Sequence, residues 1–416
     1  MKPDKKIFGW VMYDFANSSF TTIIVTVIYS VYFKQVVVNS GELGTALWGR
    51  AVSISMLLVA LSAPVFGAIA DHSRAKKKFL FYNTYLAIIF TALLYYVRAG
   101  DIFQGMLFFI IANFGYNSAN VFYNSLLPDI VSRQHLGKVS GWGWGVGYIG
   151  GLLSLILILP LVKNNLTRWA FPAVAAFFWL FSLFTFILLK EVRRGSKRTN
   201  YLKTAFQRIS LTFRNLRQFN QLVKFYISYL IYNDGIVIVI SFAAIYGATR
   251  FGMSGQELVI YFMIAQVTSI VGSFVFGYLV DRIGAKKSIS ITLLIWIVVV
   301  LAAFFCINTR QFYLVGLLAG IAIGSSQSSS RTMLALLTPA DKMAEFFGFY
   351  SFTGKMAAII GPLVYGEISR ISGSQRWAIL SVLLFFLTGL FTLQSVNETA
   401  GQKRAEEWSK PNIMNS

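Results

Sequence analysis

Two side chains of opposite charge lie deep inside apolar stretches of the sequence. Asp234 lies about nine residues into one apolar run, and Lys355 lies about eleven residues into another. A charge near the middle of a membrane is costly unless it is paired or faces a cavity, so each residue is a functional-site hypothesis. Together they predict one of two things: a fixed ion pair between helices, or a clamp for a substrate that carries both charges.

Further polar groups interrupt other apolar runs. Asp14 and Asn17 lie in the first run, where Asp14 follows about two helical turns. Asp14 is either part of a polar helix start near the interface or an acid that faces a cavity. Gln327 lies in a later run, next to three serines. We count these side chains as candidate cavity residues.

Four asparagines in one run share a helical face. Asn113, Asn117, Asn120 and Asn124 are separated by four, three and four residues, a spacing that puts them on one side of a helix. Such a stripe can hydrogen-bond neighbouring helices together, or it can line a water-filled path. We favour the path, because helix packing rarely needs four amides in line.

The composition identifies the elements that must hold these residues. Hydrophobic residues make up 56% of the chain and charged residues only 13%, whereas a soluble domain has about 25% charged residues. Runs of about 20 apolar residues, each long enough to cross a bilayer, recur along the sequence. The twelve predicted spans are roughly 8–36, 48–70, 79–97, 102–127, 139–162, 168–189, 225–249, 257–280, 288–307, 311–336, 344–368 and 376–396. We therefore predict an all-α integral membrane protein with twelve transmembrane helices.

The net charge of +21 is placed as in a membrane protein. If both termini are inside, the inner segments carry 26 Lys and Arg and the outer segments carry 9. This asymmetry follows the positive-inside rule and predicts cytoplasmic termini. It does not favour a nucleic-acid partner.

One sequence motif occurs twice at half the chain length. The stretch GYLVDRIGAKK runs from Gly277 to Lys287, and a weaker copy, GAIADHSRAKK, runs from Gly67 to Lys77. The acids of the two copies are 210 positions apart, which indicates that the chain consists of two related halves. The predicted gating residues of the two copies are Gly67, Asp71, Gly277, Asp281, Arg282, Gly284 and Lys286.

The second copy, G-x-x-x-D-R-x-G-x-K-K, resembles a loop motif of major facilitator superfamily transporters. It matches their loops between spans 2 and 3 and between spans 8 and 9; the first copy has His72 and Arg74 in place of the Arg and Gly. The resemblance implies two pseudo-symmetric six-helix bundles around a cavity lined by spans 1, 4, 7 and 10. It also implies alternating access, with Asp281 making an ionic contact at a cytoplasmic gate.

A closer resemblance covers nearly the whole chain. It is carried by WVMYDFANSSF, YNSLLPDI, GYIGG, YNDG and the long stretch QSSSRTMLALLTPADKMAEFFGFYSFTGKMAAIIGP. These stretches are similar to the branch of the superfamily named for the fungal vacuolar amino-acid effluxer. The resemblance implies transport activity and leaves the substrate open.

The predicted domains follow the two halves. We expect an N-terminal six-helix bundle at 1–190, a basic amphipathic cytoplasmic linker helix at 191–222, a C-terminal six-helix bundle at 223–397 and a polar cytoplasmic tail at 398–416. The linker prediction depends on apolar residues that recur every three or four positions among Lys and Arg, as in helices that lie on a membrane surface.

These features favour a secondary transporter over an enzyme. The sequence has no P-loop pattern, and its two histidines and single cysteine cannot form a catalytic or metal site in the membrane. We predict no cofactor and a monomer in a bacterial cytoplasmic membrane. An amino acid or similar zwitterion is the favoured substrate. Either an ion gradient, such as that of the proton, or the substrate gradient drives transport. A lipid or hydrophobic-drug exporter is the main alternative, and an integral-membrane receptor or enzyme is the non-transport one.

Overall fold

The computed structural model describes residues 4–39, 41–164, 166–190, 216–253, 255–372 and 374–409. Every regular element in these ranges is helical. Most of the predicted linker helix at 191–222 lies outside the described residues. Its last residues form a short 3-10 turn, Leu216–Phe219, and the start of the next helix.

The chain forms long helices because backbone N–H and C=O groups have no water to bond in lipid and must pair within the helix. The first unbroken stretch combines two α-helices with two π-helical segments, Phe20–Val27 and Phe33–Val37, whose turns are wider. The helices before the linker are α1 Lys5–Ser19, α2 Tyr29–Tyr32, α3 Gly41–Ser73, α4 Lys76–Leu93, α5 Ile102–Ser125, α6 Leu127–Ile130, α7 Leu136–Lys163 and α8 Ala170–Leu188. Those after it are α9 Asn220–Phe251, α10 Gly255–Ile283, α11 Ala285–Phe305, α12 Thr309–Leu337, α13 Met343–Ser372, α14 Gln375–Gln394 and α15 Glu398–Ser409.

The helices have the lengths and composition of transmembrane segments. Among the described residues, ten segments are long and apolar enough to cross a membrane. The other two predicted spans correspond to α5 and α13, which are 24 and 30 residues long. At about 1.5 Å per residue, both exceed the thickness of a hydrocarbon core. The predicted all-α membrane architecture is confirmed.

The side chains are distributed as in a protein dissolved in lipid. Large apolar residues such as Leu61 and Phe391 are 65% and 79% exposed, while many serines and asparagines are buried. Helices in a membrane gain little from burying apolar groups and associate through small and polar residues instead. In the second half, α10 and α12 pack in this way: Gly320 lies against Ala265, and Gly324 lies against Ser269.

The contacts divide the chain into two compact units. Unit 1 comprises Met1–Ile130, Val146–Ile209 and Lys342–Ser351, and unit 2 comprises Val131–Gly145, Ser210–Asp341 and Phe352–Ser416. The division therefore falls inside α7 and inside α13. We call Val131–Gly145 the α7 entry segment and Lys342–Ser351 the α13 entry segment. Each entry segment belongs to a different unit from the rest of its helix, whereas the domains predicted from the sequence follow chain order.

Candidate functional site

A cluster of polar side chains joins α1 to α5 in unit 1. The Nδ2 of Asn17 donates a hydrogen bond to Oδ1 of Asn120 at 3.1 Å, and Tyr116 lies beside Asn120. Asp14 is one turn before Asn17, is only 6% exposed, and lies against Gly147 of α7. The structure thus brings three of the predicted cavity residues of this unit together: the acid and two amides.

The asparagine stripe of α5 has two parts with different surroundings. Asn113 donates a hydrogen bond to the hydroxyl of Ser55 on α3 at 2.7 Å, and Asn117 donates to Oδ1 of Asn113 at 2.9 Å. Both asparagines are buried, whereas Asn120 and Asn124 are half-buried. Asn113 therefore joins α5 to α3, and Asn117 bonds within α5 to the same amide. Asn120 and Asn124 retain the exposure that a path-lining role requires.

We expect cysteine labelling to separate the two parts of the stripe. In a Cys306→Ser background, cysteines replacing Asn120 and Asn124 should react with a small polar thiol reagent. Cysteines replacing Asn113 and Asn117 should react more slowly, because these positions are covered within unit 1. Reaction rates on the purified protein measure the difference.

Phe114 and Val121 provide the controls for this labelling, because they are neighbours of the asparagines on the same helix and are not part of the stripe. Cysteines at these positions should remain slow. Equal labelling rates at the asparagine and control positions, or no labelling at any of them, would reject a water-accessible stripe.

The acid of unit 2 is more deeply buried. Asp234 on α9 is 2% exposed, and its neighbour Asn233 is 7% exposed. Tyr232 and Ser330 share a hydrogen bond of 2.7 Å between their hydroxyls, which joins α9 to α12. Gln327 is half-buried on α12. The backbone of Lys355 lies in α13, but its side chain is outside the described residues, so its pairing with Asp234 stays a prediction.

The second motif copy binds the beginning of a helix. The two carboxylate oxygens of Asp281 accept hydrogen bonds from the backbone N–H groups of Gly137, at 2.8 Å, and Lys138, at 2.9 Å. These groups belong to the first turn of α7, where N–H groups lack partners within the helix and the helix dipole is positive. We predicted an ionic contact for Asp281. The observed contact is between a carboxylate and a helix N-terminus, with all three residues in unit 2.

The surrounding motif residues allow the α7 entry segment to lie close to α10. Gly277 and Gly141 pack backbone against backbone, and a side chain on either would overlap the other helix. The Nζ of Lys138 lies 4.8 Å from the ring centre of Tyr278, a cation–π distance. Arg282 is exposed at the end of α10.

The first copy makes the corresponding contact in unit 1. Oδ2 of Asp71 accepts a hydrogen bond of 2.9 Å from the backbone N–H of Glu345, in the first turn of α13, and Gly67 packs against the backbone of Ala344. The replacements at positions 72 and 74 therefore leave this contact in place. Arg74 adopts a φ of 52° in the turn where the second copy has Gly284 at 90°. A non-glycine residue in this left-handed region costs about 1–2 kcal/mol.

Arg331, which the sequence places inside an apolar run, makes contacts that the sequence did not predict. It is 3% exposed in α12. Its Nε donates to the hydroxyl of Ser140 at 2.9 Å, and its Nη2 donates to the carbonyl of Ser140 at 2.6 Å. The guanidinium lies 5.1 Å from the ring centre of Trp144. The signal was an arginine inside an apolar run, but nothing in the sequence showed that it binds the α7 entry segment.

Comparison with known proteins gives the family. A family model described as "Vacuole effluxer Atg22 like" matches residues 44–406. The chain belongs to the Atg22-like family. An uncharacterized MFS-type transporter, YxiO of Bacillus subtilis (strain 168), is 30% identical over 407 residues and is aligned over 94% of each chain. Autophagy-related protein 22 of Eremothecium gossypii is 23% identical over 471 residues, covering 97% of this chain and 93% of its own length.

Solved structures show the fold of this Atg22-like protein. The human organic anion transporter MFSD10 (TETRAN) superposes with a TM-score of 0.73 at 16% identity, over 94% of this chain and 99% of its own. The proton:xylose symporter XylE superposes with a TM-score of 0.72 at 13% identity, over 98% of both chains. The predicted major facilitator fold is confirmed. The Atg22-like protein is a membrane transporter and not an enzyme.

Proposed function

We propose that this Atg22-like protein is a secondary transporter that moves a small zwitterionic solute, such as an amino acid, by alternating access. The observation that carries the proposal is the burial of Asp234, which is 2% exposed in the middle of α9. A buried acid in a membrane helix is functional by default. Lys355 lies in the same half of the sequence and supplies the opposite charge for a zwitterion.

The two charges suggest how substrate and proton are exchanged. The substrate ammonium binds Asp234 and its carboxylate binds Lys355, so that one ion pair is replaced by two. If a proton is the coupling ion, Asp234 is the better carrier. Its protonation frees Lys355 for the substrate carboxylate, and its proton leaves before the ammonium pairs with it. In unit 1, Asp14 and the amides of Asn17 and Asn120 offer hydrogen bonds along the path.

The motif contacts suggest how the conformations are controlled. Asp281 binds the α7 entry segment in unit 2, and Asp71 binds the α13 entry segment in unit 1. In alternating access such contacts break in one conformation and form in the other, so their strength biases the equilibrium between states. We assign Asp281 and Asp71 to this gating role.

The proposal also includes the orientation in the membrane. The excess of Lys and Arg in alternate loops supports cytoplasmic termini, and we propose the cytoplasmic membrane of a bacterium as the location, with the protein acting as a monomer. The family description refers to a vacuole effluxer.

A thermal-shift screen on purified protein tests the substrate class. A ligand at a hundred times its Kd stabilises the folded protein by about 2.7 kcal/mol. We expect zwitterionic amino acids to raise the melting temperature. Analogues with a blocked amine or carboxylate should have no effect, since each loses one partner. Stabilisation only by lipids or hydrophobic drugs would contradict the zwitterion and favour the exporter alternative, for which the 16% aromatic content of the chain is suitable.

A further inference from the structure

The C-terminal polar segment contains a helix that packs on unit 2. The ring of Trp408 in α15 lies 5.0 Å from that of Phe219, and Nη2 of Arg404 donates to Oε1 of Gln218 at 2.7 Å. Ala405 is 1% exposed, and Gly401 lies against Leu337 at the end of α12. The sequence predicts only a polar tail here, whereas in the structure the segment forms a helix that packs against the rest of unit 2.

Glu398, the first residue of α15, binds the motif loop. Its two carboxylate oxygens accept hydrogen bonds from the backbone N–H groups of Ala285, at 3.0 Å, and Lys286, at 2.9 Å. These are the first two residues of α11, so Glu398 caps this helix from outside it. Gly284 has a φ of 90°, and a Cβ on it would lie 3.1 Å from the Glu398 carboxylate.

This cap is only a few residues from the gating acid. Helix α10 ends at Ile283 and α11 begins at Ala285, so only Gly284 separates them. The N–H of Gly284 also bonds the carbonyl of Val280 at 2.9 Å. Because so short a connection has little freedom, the position of the first turn of α11 fixes the end of α10. Asp281, which holds the α7 entry segment, lies at that end.

Equivalent lysines of the two motif copies make different contacts. In unit 1, Nζ of Lys76 lies 3.5 Å from Asp71 and 3.0 Å from Asp129, so an ion-pair network supports the loop. The equivalent lysine of unit 2, Lys286, donates instead to the carbonyl of Gln394 at 2.8 Å. In the second loop, Glu398 holds the first turn of the helix that follows the motif.

Helix α15 also contacts the α7 entry segment, which is the partner of Asp281 in the gating contact. Arg133, in the α7 entry segment, donates to the carbonyl of Leu336 at 3.1 Å and lies 3.6 Å from Oε1 of Glu406. Both side chains of this pair are partly exposed, and such pairs contribute about 0–1 kcal/mol. The main influence of α15 therefore acts through Glu398.

We infer that Glu398 is a positioning residue for Asp281, and that docked α15 keeps the α7 entry segment on unit 2. The C-terminal helix thereby biases the transporter towards the conformation with this contact formed. The inference rests on the proposed gating role of Asp281.

A cysteine placed beneath the α7 entry segment becomes accessible to a thiol reagent when this segment separates from unit 2. Ser328 is 0% exposed, and its carbonyl accepts a hydrogen bond of 3.0 Å from Ser140 of that segment. In a Cys306→Ser background, Ser328→Cys should react slowly with N-ethylmaleimide. Glu398→Ala should raise the rate about fivefold, which corresponds to about 1 kcal/mol for a lost helix cap.

Two controls separate positioning from general loosening. Glu407→Ala removes an exposed acid of the same helix, whose ion pair is with Arg404 of α15 itself, and it should leave the rate unchanged. A second reporter, Ser228→Cys, lies at a buried position that bonds the carbonyl of Gly389. This reporter should stay slow in every variant.

A double variant decides whether Glu398 acts through Asp281. If it does, Glu398→Ala should add nothing to the labelling of Asp281→Asn at the Ser328 reporter. Three results would each overturn the inference. The first is that the two substitutions raise the labelling rate additively, and the second is that Glu398→Ala raises the rate equally at the Ser228→Cys reporter. The third is that Asp281→Asn raises the rate at the Ser328→Cys reporter while Glu398→Ala does not. If Asp281→Asn alone does not change the labelling rate, the proposed gating role of Asp281 is wrong. The inference about Glu398 is then wrong as well, because it rests on that role.

Discussion

In the variant Asp281→Asn, the α7 entry segment should leave unit 2 more often, and transport should fall while the yield of folded protein is kept. The neutral amide loses the attraction to the helix N-terminus. Its NH2 group also faces a backbone N–H that the carboxylate bonded. Loss of such a cap costs about 0.5–2 kcal/mol, so the labelling rate at the Ser328→Cys reporter should rise by a factor of about 2–30.

An exposed acid of the same unit provides the control for this variant. Asp341 is exposed and is the last residue of the stretch Ser210–Asp341 of unit 2, and Asp341→Asn should change neither the labelling rate nor the transport rate. Asp71→Asn addresses the equivalent contact of unit 1. If Asp281→Asn had the labelling and transport of the wild-type protein, Asp281 would have no gating role.

The double variant Asp234→Asn with Lys355→Met should fold normally and should no longer bind or move its ligand. Removing one charge leaves the other alone in the membrane interior, which costs about 3–5 kcal/mol for a buried pair. Removing both avoids this cost but removes both partners of a zwitterion. Thermal unfolding gives the stability of each variant, and the ligand-induced shift gives its binding.

The single variants are the controls for this pair. Each should melt lower than the wild-type protein, and the double variant should recover most of the loss. If the pair only holds helices together, the double variant should recover stability and retain near-normal transport. That result would exclude Asp234 and Lys355 as the substrate site.

The motif contacts show how far the sequence could lead. The repeat at 210 residues, with a glycine and an acid shared by both copies, predicted two equivalent loops, and both acids do bind a helix beginning. The nature of the contact could not be predicted, because Gly137 is 144 residues away from Asp281 in the chain. Backbone N–H groups are present at every helix start, so the sequence does not show which of them bonds a distant carboxylate.

The asparagine stripe and α15 show two further limits. Spacing predicted that Asn113 and Asn117 share a face, but it could not show that Asn113 bonds Ser55 on another helix. Polar composition suggested a tail at 398–416, whereas the small residues Gly401 and Ala405 form a narrow face that packs on unit 2. Hydrophobic periodicity does not reveal a helix that docks through glycine, alanine and a capping acid.

Uptake into proteoliposomes tests the central proposal most directly. The zwitterion that stabilises the purified protein is supplied outside as a radiolabelled solute, without ATP and with or without a proton gradient. We expect the wild-type protein to take it up faster than empty liposomes, and to accumulate it when the gradient is applied. The Asp234→Asn, Lys355→Met variant should match the empty liposomes. Uptake by the wild-type protein no faster than by empty liposomes, or equal uptake by the double variant, would contradict a zwitterion transporter that uses this charged pair.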